Sequence, residues 1–295
     1  MRGMKRREFL AGVAAAPLIA TAAAAQTKPS PATAPRKGRL KQSVMRVNFA
    51  PMTDFEEMCR IASELGFEGF DLTGPRDWPI LKKYGLTPAL VTASVGTTFE
   101  NGLIRKELHD KFEKGFRESI DTCVEIGSPN LIAIPGQRRD MSYEEAADNC
   151  VAILNRVKGY AEQKNVTLCM EITNSKVAAD QRTDQVFNHL DWGLDVVKQV
   201  NSPRVKILFD VYHVQIADGD VTRNLRDNID HVCHIHVAGV PSRQEIDDTQ
   251  ELNYHFIAKA IADTGYTGFI AHEFRTSKGR EPMESLRQAR EICTV

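Results

Sequence analysis

Four short apolar segments of this 295-residue chain each end in an acidic residue or a histidine. The four residues are Glu171, Asp210, His236 and Glu273. Apolar runs of this length are typical of buried strands, and the ends of such strands converge only if the strands lie side by side in parallel. The closed form of that arrangement is a (β/α)8 barrel, whose chemistry lies at its C-terminal rim. The pattern therefore predicts an α/β fold with a metal site at the rim.

The rest of the chain repeats the same alternation of short β-branched runs and amphipathic stretches, which is typical of βα units. Eight strands are predicted, at 44–50, 69–73, 86–93, 130–134, 166–172, 205–211, 231–238 and 268–274. Helices are predicted between them, among others at 55–65, 106–126, 144–163 and 192–200. The turn from helix to strand is marked by Gly or Asn, at Gly66, Gly85, Asn165 and Gly265. The count of eight strands favours a single (β/α)8 TIM barrel.

Strand alternation predicts which residues lie beneath the rim, because residues two apart share a face. Cys169 then lies below Glu171, and Leu208 lies below Asp210. His234 would lie one layer below His236, where a hydrogen-bonded supporting role is favoured over direct ligation of a metal.

Three carboxylates and one imidazole form an oxygen-rich ligand set that suits one divalent ion, Mn²⁺ or Mg²⁺, with Co²⁺ or Zn²⁺ as alternatives. A single carboxylate at a strand end would instead indicate a helix cap or a surface ion pair. Four such residues on successive strands reverse that interpretation. Within this set, Glu171 and Glu273 are the candidate proton carriers, because a carboxylate can deprotonate a carbon next to a polarised carbonyl.

The N-terminus carries a different signal. Paired arginines, Arg6 and Arg7, precede an alanine-rich apolar stretch that extends to Ala25. This pattern predicts a twin-arginine signal peptide at 1–25 and export to the periplasm, with an uncleaved membrane anchor as the alternative. Residues 26–42, rich in proline and basic residues, are predicted to be a disordered linker. The barrel would then occupy 43–295, a typical length for this fold.

Composition excludes some classes of partner. The formal net charge is −1, so the chain has no basic footprint for nucleic acid. The six cysteines form no CxxC pair and fall mostly within apolar patterns, which favours buried free thiols over a disulfide framework. A small-molecule ligand is therefore the expected partner, with no stable membrane association if the signal is cleaved. The oligomeric state stays open, homo-oligomers included.

Several long segments resemble a known family, the hydroxypyruvate isomerase-like members of the xylose-isomerase-type TIM barrel superfamily, which is related to sugar phosphate isomerases and ketose 3-epimerases. The matching segments are 170–176, 202–220, 234–254 and 264–274. The resemblance implies that Glu171, Asp210, His236 and Glu273 hold a divalent metal. It also implies that His213 and Arg243 contact substrate. The chain departs from the family at Asp71, where a glutamate is expected, and at Ser242, which replaces a glycine.

The activity implied by this resemblance is metal-dependent isomerisation of a small α-hydroxy carbonyl compound through an enediolate, as in the conversion of hydroxypyruvate to tartronate semialdehyde. A ketose 3-epimerase and a sugar or polyol dehydratase are alternatives on the same barrel. A non-catalytic exported sugar-binding protein is the alternative of another class. Three further expectations concern the loops at the rim. His213, past the sixth strand, is expected to lie in a loop. Arg243, in the loop after the seventh strand, has a surface salt bridge with Glu245 or Asp247 as its alternative role, and residues 245–248 are expected to form a solvated loop or a lid.

Overall fold

A computed structural model describes residues 38–93, 96–177 and 184–295. Eight strands form a closed barrel in which each strand pairs with its neighbours in chain order, and the last strand pairs with the first. All of these pairings are parallel. The fold is therefore the (β/α)8 barrel that the sequence predicts, and the C-terminal ends of all eight strands lie at one rim.

The strands β1 to β8 are Lys41–Val44, Gly69–Thr73, Thr87–Val91, Asn130–Ala133, Thr167–Glu171, Val205–Asp210, Val232–Val237 and Phe269–His272. The helices α1 to α9 are Phe55–Leu65, Trp78–Lys83, His109–Ile126, Tyr143–Lys164, Leu190–Val200, Val211–Ala217, Val221–Asp227, Tyr254–Asp263 and Pro282–Ile292. Short 3-10 helices occupy Arg46–Phe49, Lys106–Leu108 and Ile229–His231.

The helices begin and end where local chemistry predicts. Asp54 caps α1 by accepting a hydrogen bond from the Glu56 amide at 2.9 Å, and the Ser142 hydroxyl caps α4 in the same way. All four predicted turn residues adopt a positive φ: 84° at Gly66, 68° at Gly85, 58° at Asn165 and 78° at Gly265. These turns lead each chain segment directly from a helix into the following strand.

The first strand corrects the predicted start of the barrel. The strand occupies Lys41–Val44 rather than 44–50, because the next residues turn into a 3-10 helix. That turn is closed by Asn48, whose Oδ1 accepts a hydrogen bond from the Met45 amide at 2.8 Å. Leu40 is already buried, and the Arg39 amide donates to the carbonyl of Val295. Residues 38–42, which the sequence predicts as linker, therefore belong to the barrel.

Two apolar cores lie on opposite faces of the sheet. The larger one lies between the strands and the surrounding helices and includes Met170 and Phe209. The smaller one fills the interior of the barrel and includes Leu90, Cys169 and Leu208. The interior position of Cys169 and Leu208 confirms the predicted alternation, because the residues two positions further along these strands then also point inward, at the rim.

The described part of the chain contains no helix that is both long enough and apolar enough to cross a membrane. The predicted signal peptide, residues 1–25, lies outside the described residues, as does most of the predicted linker. All six cysteines are free thiols, five of them buried, as the sequence predicts.

Candidate active site

The four predicted ligands meet at the C-terminal rim. Glu171 and Asp210 are the last residues of β5 and β6, His236 is the penultimate residue of β7, and Glu273 follows β8 directly. Asp210 and His236 are directly paired in register. Each of the four residues offers one ligand atom, and these atoms lie within 4.8 Å of one another. The structure thus brings together all of the residues that the sequence proposes as ligands.

His236 lies at the centre of this group. Its Nδ1 is 2.8 Å from Glu273 Oε2 and 3.9 Å from Glu171 Oε1. Burial opposes protonation of the ring, but the carboxylates of Glu273 and Asp71 outweigh it and raise the pKa of His236 well above its usual value. A cation at this position is therefore electrostatically favoured, whether it is the imidazolium or a bound ion.

The two carboxylate oxygens of Asp210 have different surroundings. Oδ1 caps α6 by accepting hydrogen bonds from the amides of Tyr212 and His213, at 2.8 and 3.4 Å. Oδ2 is buried and accepts no hydrogen bond from any described residue; its near neighbours include His213 Nε2 at 3.4 Å and Arg243 at 3.7 Å. Burial, together with repulsion by Glu273, raises the pKa of Asp210 to about 7. The free oxygen is positioned as a ligand atom.

Arg243 reaches into the same cluster. Its guanidinium lies 2.5 Å from Glu273 and 5.2 Å from the ring centroid of Tyr212, and its side chain is only 7% exposed. The backbone at Arg243 has φ of 53°, a left-handed conformation that costs free energy for a residue other than glycine. The alternative of a surface salt bridge with Glu245 or Asp247 is therefore wrong, because Arg243 pairs with a rim carboxylate instead.

Residues 245–247 are buried and so differ from the expected solvated loop, whereas Asp248 is exposed, as expected. Glu245 is buried and accepts hydrogen bonds from the amide of Ser277 and the hydroxyl of Ser285, each at 2.9 Å. Asp247 is buried as well and pairs with Arg280 at 2.5 Å. Glu245 and Asp247 form a packed support for the loop that carries Arg243, because the segment that follows β8 satisfies both carboxylates.

His213 lies in the first turn of α6 rather than in a loop, because the cap at Asp210 starts a helix immediately after the strand. The ring is fully buried, and its Nδ1 lies 2.7 Å from Nδ2 of Asn174. Asn174 is a site residue that the sequence did not single out, although it falls within one of the segments that resemble the family. The structure places Asn174 in the site because its amide is buried just beyond the end of β5 and contacts His213.

A cavity of about 320 Å³ opens beside the cluster. It is lined by Met45, Arg46, Val47, Asp71, Leu72, Arg243, Glu273 and Arg275. A larger cavity of about 650 Å³ lies on the outer surface beside Trp78 and Leu86, and its lining lacks the converging carboxylates and histidines of the rim. Of these two cavities, the one at the rim combines space for a small molecule with groups that can do chemistry on it.

The donor set fits a divalent cation. The negative charge of the three carboxylates would exceed the positive charge that His236 and Arg243 supply, which is unfavourable in a buried site. In addition, Asp210 Oδ2 lacks a hydrogen-bond donor among the described residues. Hard oxygen donors with one imidazole match the preferences of Mn²⁺ and Mg²⁺.

The chain resembles known proteins over most of its length. Residues 59–293 match the family model described as "Xylose isomerase-like TIM barrel". The chain belongs to this family. It is 35% identical over 202 residues to the 2-oxo-tetronate isomerase of Cupriavidus necator, covering 66% of this chain and 75% of the relative. It is 26% identical over 248 residues to a Danio rerio protein named "Putative hydroxypyruvate isomerase", covering 79% of this chain and 88% of the relative.

Solved structures share the fold at lower identity. A structure titled AP endonuclease, family 2, from Brucella melitensis superposes with a TM-score of 0.75 at 23% identity, covering 84% of this chain and 96% of that chain. The apo form of a 3-keto-D-glucoside 4-epimerase from E. coli gives a TM-score of 0.70 at 19% identity, covering 86% and 100%. At these identities the likeness extends to the barrel architecture alone.

Proposed function

We propose that this protein is an isomerase of small 2-oxo acids that carry a hydroxyl on the neighbouring carbon, hydroxypyruvate and 2-oxo-tetronate being the substrates to test first. The observation that carries the proposal is the convergence of Glu171 and Glu273, from strands on opposite parts of the barrel, on one buried cluster with Asp210 and His236. The names of the two relatives above support the substrate class. Both compounds share the same reacting unit, a ketone beside a hydroxyl-bearing carbon.

Glu171, Asp210, His236 and Glu273 would hold one divalent ion, Mn²⁺ or Mg²⁺. When bound, such an ion polarises the carbonyl and stabilises negative charge that develops on the substrate oxygens. Elemental analysis should find about one ion per chain. Full metal occupancy in a variant that carries both Asp210→Ala and His236→Ala would contradict this assignment.

The two glutamates supply the proton transfers. One carboxylate removes the proton from the hydroxyl-bearing carbon, which gives an enediolate, and a proton is returned to the former carbonyl carbon. The hydroxyl proton moves to the other oxygen, so that the carbonyl ends on the neighbouring carbon with no net gain or loss of atoms. Glu171 is almost fully buried, whereas Glu273 borders the rim cavity. Water is thus largely excluded from the first group and substrate can reach the second.

Arg243 and His213 would orient the substrate. Arg243 borders the rim cavity, and a guanidinium can pair with a substrate carboxylate in two parallel hydrogen bonds. His213 is fixed between Asn174 and Asp210, so its ring has a defined direction at the edge of the cluster. Both residues are fully integrated into the buried polar network, which keeps their positions fixed before substrate binds.

The test is an exchange experiment in D₂O. The metal-reconstituted protein is incubated with hydroxypyruvate and, separately, with 2-oxo-tetronate, and the products are followed by NMR. We expect the carbonyl to move to the neighbouring carbon and deuterium to enter the carbon that receives the proton. An isomer that forms without any involvement of the protein's glutamates, or no turnover of either acid, would contradict the proposal.

The alternative functions give different results in the same experiment. A ketose 3-epimerase would introduce deuterium at carbon 3 of a ketose and leave the carbonyl in place. A dehydratase would release water and lose a hydroxyl. A sugar-binding protein without catalysis would bind a sugar and show no exchange, even when it is loaded with metal.

We also propose that the protein is exported through the twin-arginine route and that residues 1–25 are removed. The support is the pair Arg6 and Arg7 ahead of the alanine-rich stretch. Replacing both arginines by lysine should leave precursor in the cytoplasm, and the mature protein should begin near residues 24–27. An unchanged distribution after cell fractionation would contradict export by this route.

A further inference from the structure

One buried carboxylate of the barrel interior has no role in the proposed proton transfers. Asp71, in β2, is 1% exposed, and its Oδ2 lies 2.5 Å from His234 Nε2 and 3.3 Å from His236 Nε2. Its Oδ1 has no hydrogen-bond partner among the described residues. Burying a carboxylate is costly unless it is paired. The two histidines of β7 are the groups that compensate this cost.

The two ring nitrogens of His236 face different carboxylates. Nδ1 points to the rim, where Glu273 lies at 2.8 Å, and Nε2 points down to Asp71. A neutral imidazole carries one proton, so only the other nitrogen can bind a metal. If Nε2 donates its hydrogen to Asp71, Nδ1 keeps its lone pair and is directed at the group of rim carboxylates.

We propose that Asp71 is a positioning residue of the metal centre: it holds the ring of His236 with the proton on Nε2, so that Nδ1 is presented to the ion. This inference rests on the metal site of the proposed function and adds a residue that does not touch the ion. Carboxylates that orient a ligating histidine in this way commonly strengthen metal binding.

His234 completes the arrangement. Its Nε2 donates to the same oxygen of Asp71, and its ring meets that of His236 edge to face, with the centroids 5.2 Å apart. This second hydrogen bond restrains Asp71 beneath His236. Asp71, His234 and His236 could also be viewed as ligands of a second ion. The hydrogen-bonded arrangement is favoured, because both rings direct Nε2 at one oxygen that already accepts from them.

The experiment measures metal binding rather than activity. Metal-free wild type, Asp71→Asn and His234→Asn are titrated with Mn²⁺ by calorimetry, and the visible absorption spectrum of each Co²⁺ form is recorded. Asparagine keeps the size of Asp71 and one acceptor oxygen but removes the charge. We expect Asp71→Asn to weaken Mn²⁺ binding about 10- to 100-fold and to alter the Co²⁺ spectrum. His234→Asn should also weaken Mn²⁺ binding and alter the Co²⁺ spectrum, but to a smaller extent than Asp71→Asn does.

His272→Asn is the matched control. His272 is equally buried, on the neighbouring strand β8, but its Nε2 lies 2.9 Å from Gln42 Oε1, on the side of the sheet that faces the helices. This variant should bind Mn²⁺ as wild type does. Thermal unfolding of every variant checks that the barrel is intact.

Each outcome decides the matter. Folded Asp71→Asn protein with the Mn²⁺ affinity and Co²⁺ spectrum of wild type would overturn the inference. If Asp71→Asn does not fold, unchanged binding by His234→Asn would overturn it instead. Two ions per chain in wild type and one in Asp71→Asn would make Asp71 a ligand. A wild-type protein that binds no divalent ion would refute the proposed metal centre itself, and with it the role of Asp71.

Discussion

The rim of the barrel and the interior layer directly below it, here called the floor, are built by the same strands but have opposite chemistry. On β5, Glu171 at the rim lies two residues beyond Cys169, which packs in the interior core. On β6, Asp210 and Leu208 have the same relationship. The rim gathers ionisable groups within 4.8 Å of one another, whereas the interior core below it consists of Leu90, Ile132, Ile134, Cys169 and Leu208, with the Asp71–His234 pair beside it.

This difference separates reactivity from stability along each strand. Burial, together with repulsion by Glu273, raises the pKa of Asp210, so the metal-free rim stabilises the fold less than apolar residues would. The floor is close-packed and rigid, and it fixes the direction in which each rim side chain leaves the sheet. A substitution at the rim should therefore change activity more than stability, and one at an apolar position of the floor should do the reverse.

The strongest test of this contrast replaces the two proposed proton carriers. Glu171→Gln and Glu273→Gln keep the size of the side chain and remove the base. Since general acid/base catalysis contributes about 10²- to 10⁴-fold, each variant should lose at least this much turnover with hydroxypyruvate or 2-oxo-tetronate. The measurement is kcat together with deuterium incorporation in D₂O. If the two groups act on opposite faces of the substrate, one variant should retain partial exchange.

Glu57→Gln is the control, because this glutamate of α1 pairs with Arg60 on the outer surface rather than with the rim cluster. It should keep turnover within a few-fold. Should both rim variants turn over like wild type while they are folded and loaded with metal, the two-carboxylate mechanism would be wrong, and His213 would be the next candidate for the base.

The next largest effect belongs to the floor. Leu208→Ala removes a fully buried side chain from the interior core and leaves a cavity. We expect the free energy of unfolding to fall by about 2–5 kcal/mol, with little change in Mn²⁺ affinity. Val124→Ala, at an exposed position of α3, is the control and should alter stability by about 0.5 kcal/mol or less. A large loss of metal binding in the folded Leu208→Ala protein would break the separation of rim and floor.

The same contrast shows what the sequence could predict. Strand ends, alternation and helix caps are local signals, so the sequence alone predicts that Glu171, Asp210, His236 and Glu273 lie at one rim. The positions of Arg243 and Glu245 could not be, because both depend on how a loop folds back over β8. The link between Asp71 and His234 joins β2 to β7, and contacts across a barrel leave no pattern in neighbouring residues.

A third prediction uses pH on the metal-free protein. The pKa of Asp210 is about 7 in the fold, against 3.8 for a free carboxyl group, so the folded state binds the proton more tightly. Asp210 therefore contributes to the free energy of unfolding at low pH, and this contribution is lost as the pH rises from about 4 to about 7. The raised pKa of His236 acts in the same direction above its ordinary value of 6.5. The lowered pKa of Asp71 contributes a constant amount above pH 5. Burial lowers the pKa of His272 to about 3, so His272 adds stability up to about pH 6.5 and offsets part of the loss.

We expect the free energy of unfolding of the metal-free protein to fall by on the order of 2 kcal/mol between pH 5 and pH 8, given about 1.36 kcal/mol for each unit of pKa shift. Denaturant titrations in the presence of a chelator measure this directly. Asp210→Asn should remove most of the dependence. Asp247→Asn is the control, because the pKa of Asp247 is lowered and does not titrate in this window. Stability that rises from pH 5 to pH 8 would contradict the interpretation.

The prediction with the smallest expected effect compares Cys169 with Glu171, both on β5. Cys169→Ala removes one buried sulfur from the floor, directly below Glu171 on the same face of β5. A buried free thiol behaves as a small apolar group, so its loss should cost about 1 kcal/mol of stability. Cys169 Sγ lies 2.6 Å from Cys233 Sγ, so wild type and variant are compared with a reductant present, which keeps both thiols reduced. Turnover and Mn²⁺ affinity should stay within about twofold of wild type, since the thiol contacts Cys233 and the carbonyl of Thr167 rather than a rim ligand. A loss of turnover as large as that of Glu171→Gln, in a protein of normal stability, would show that the floor takes part in the chemistry and that alternation along the strand does not separate the two functions.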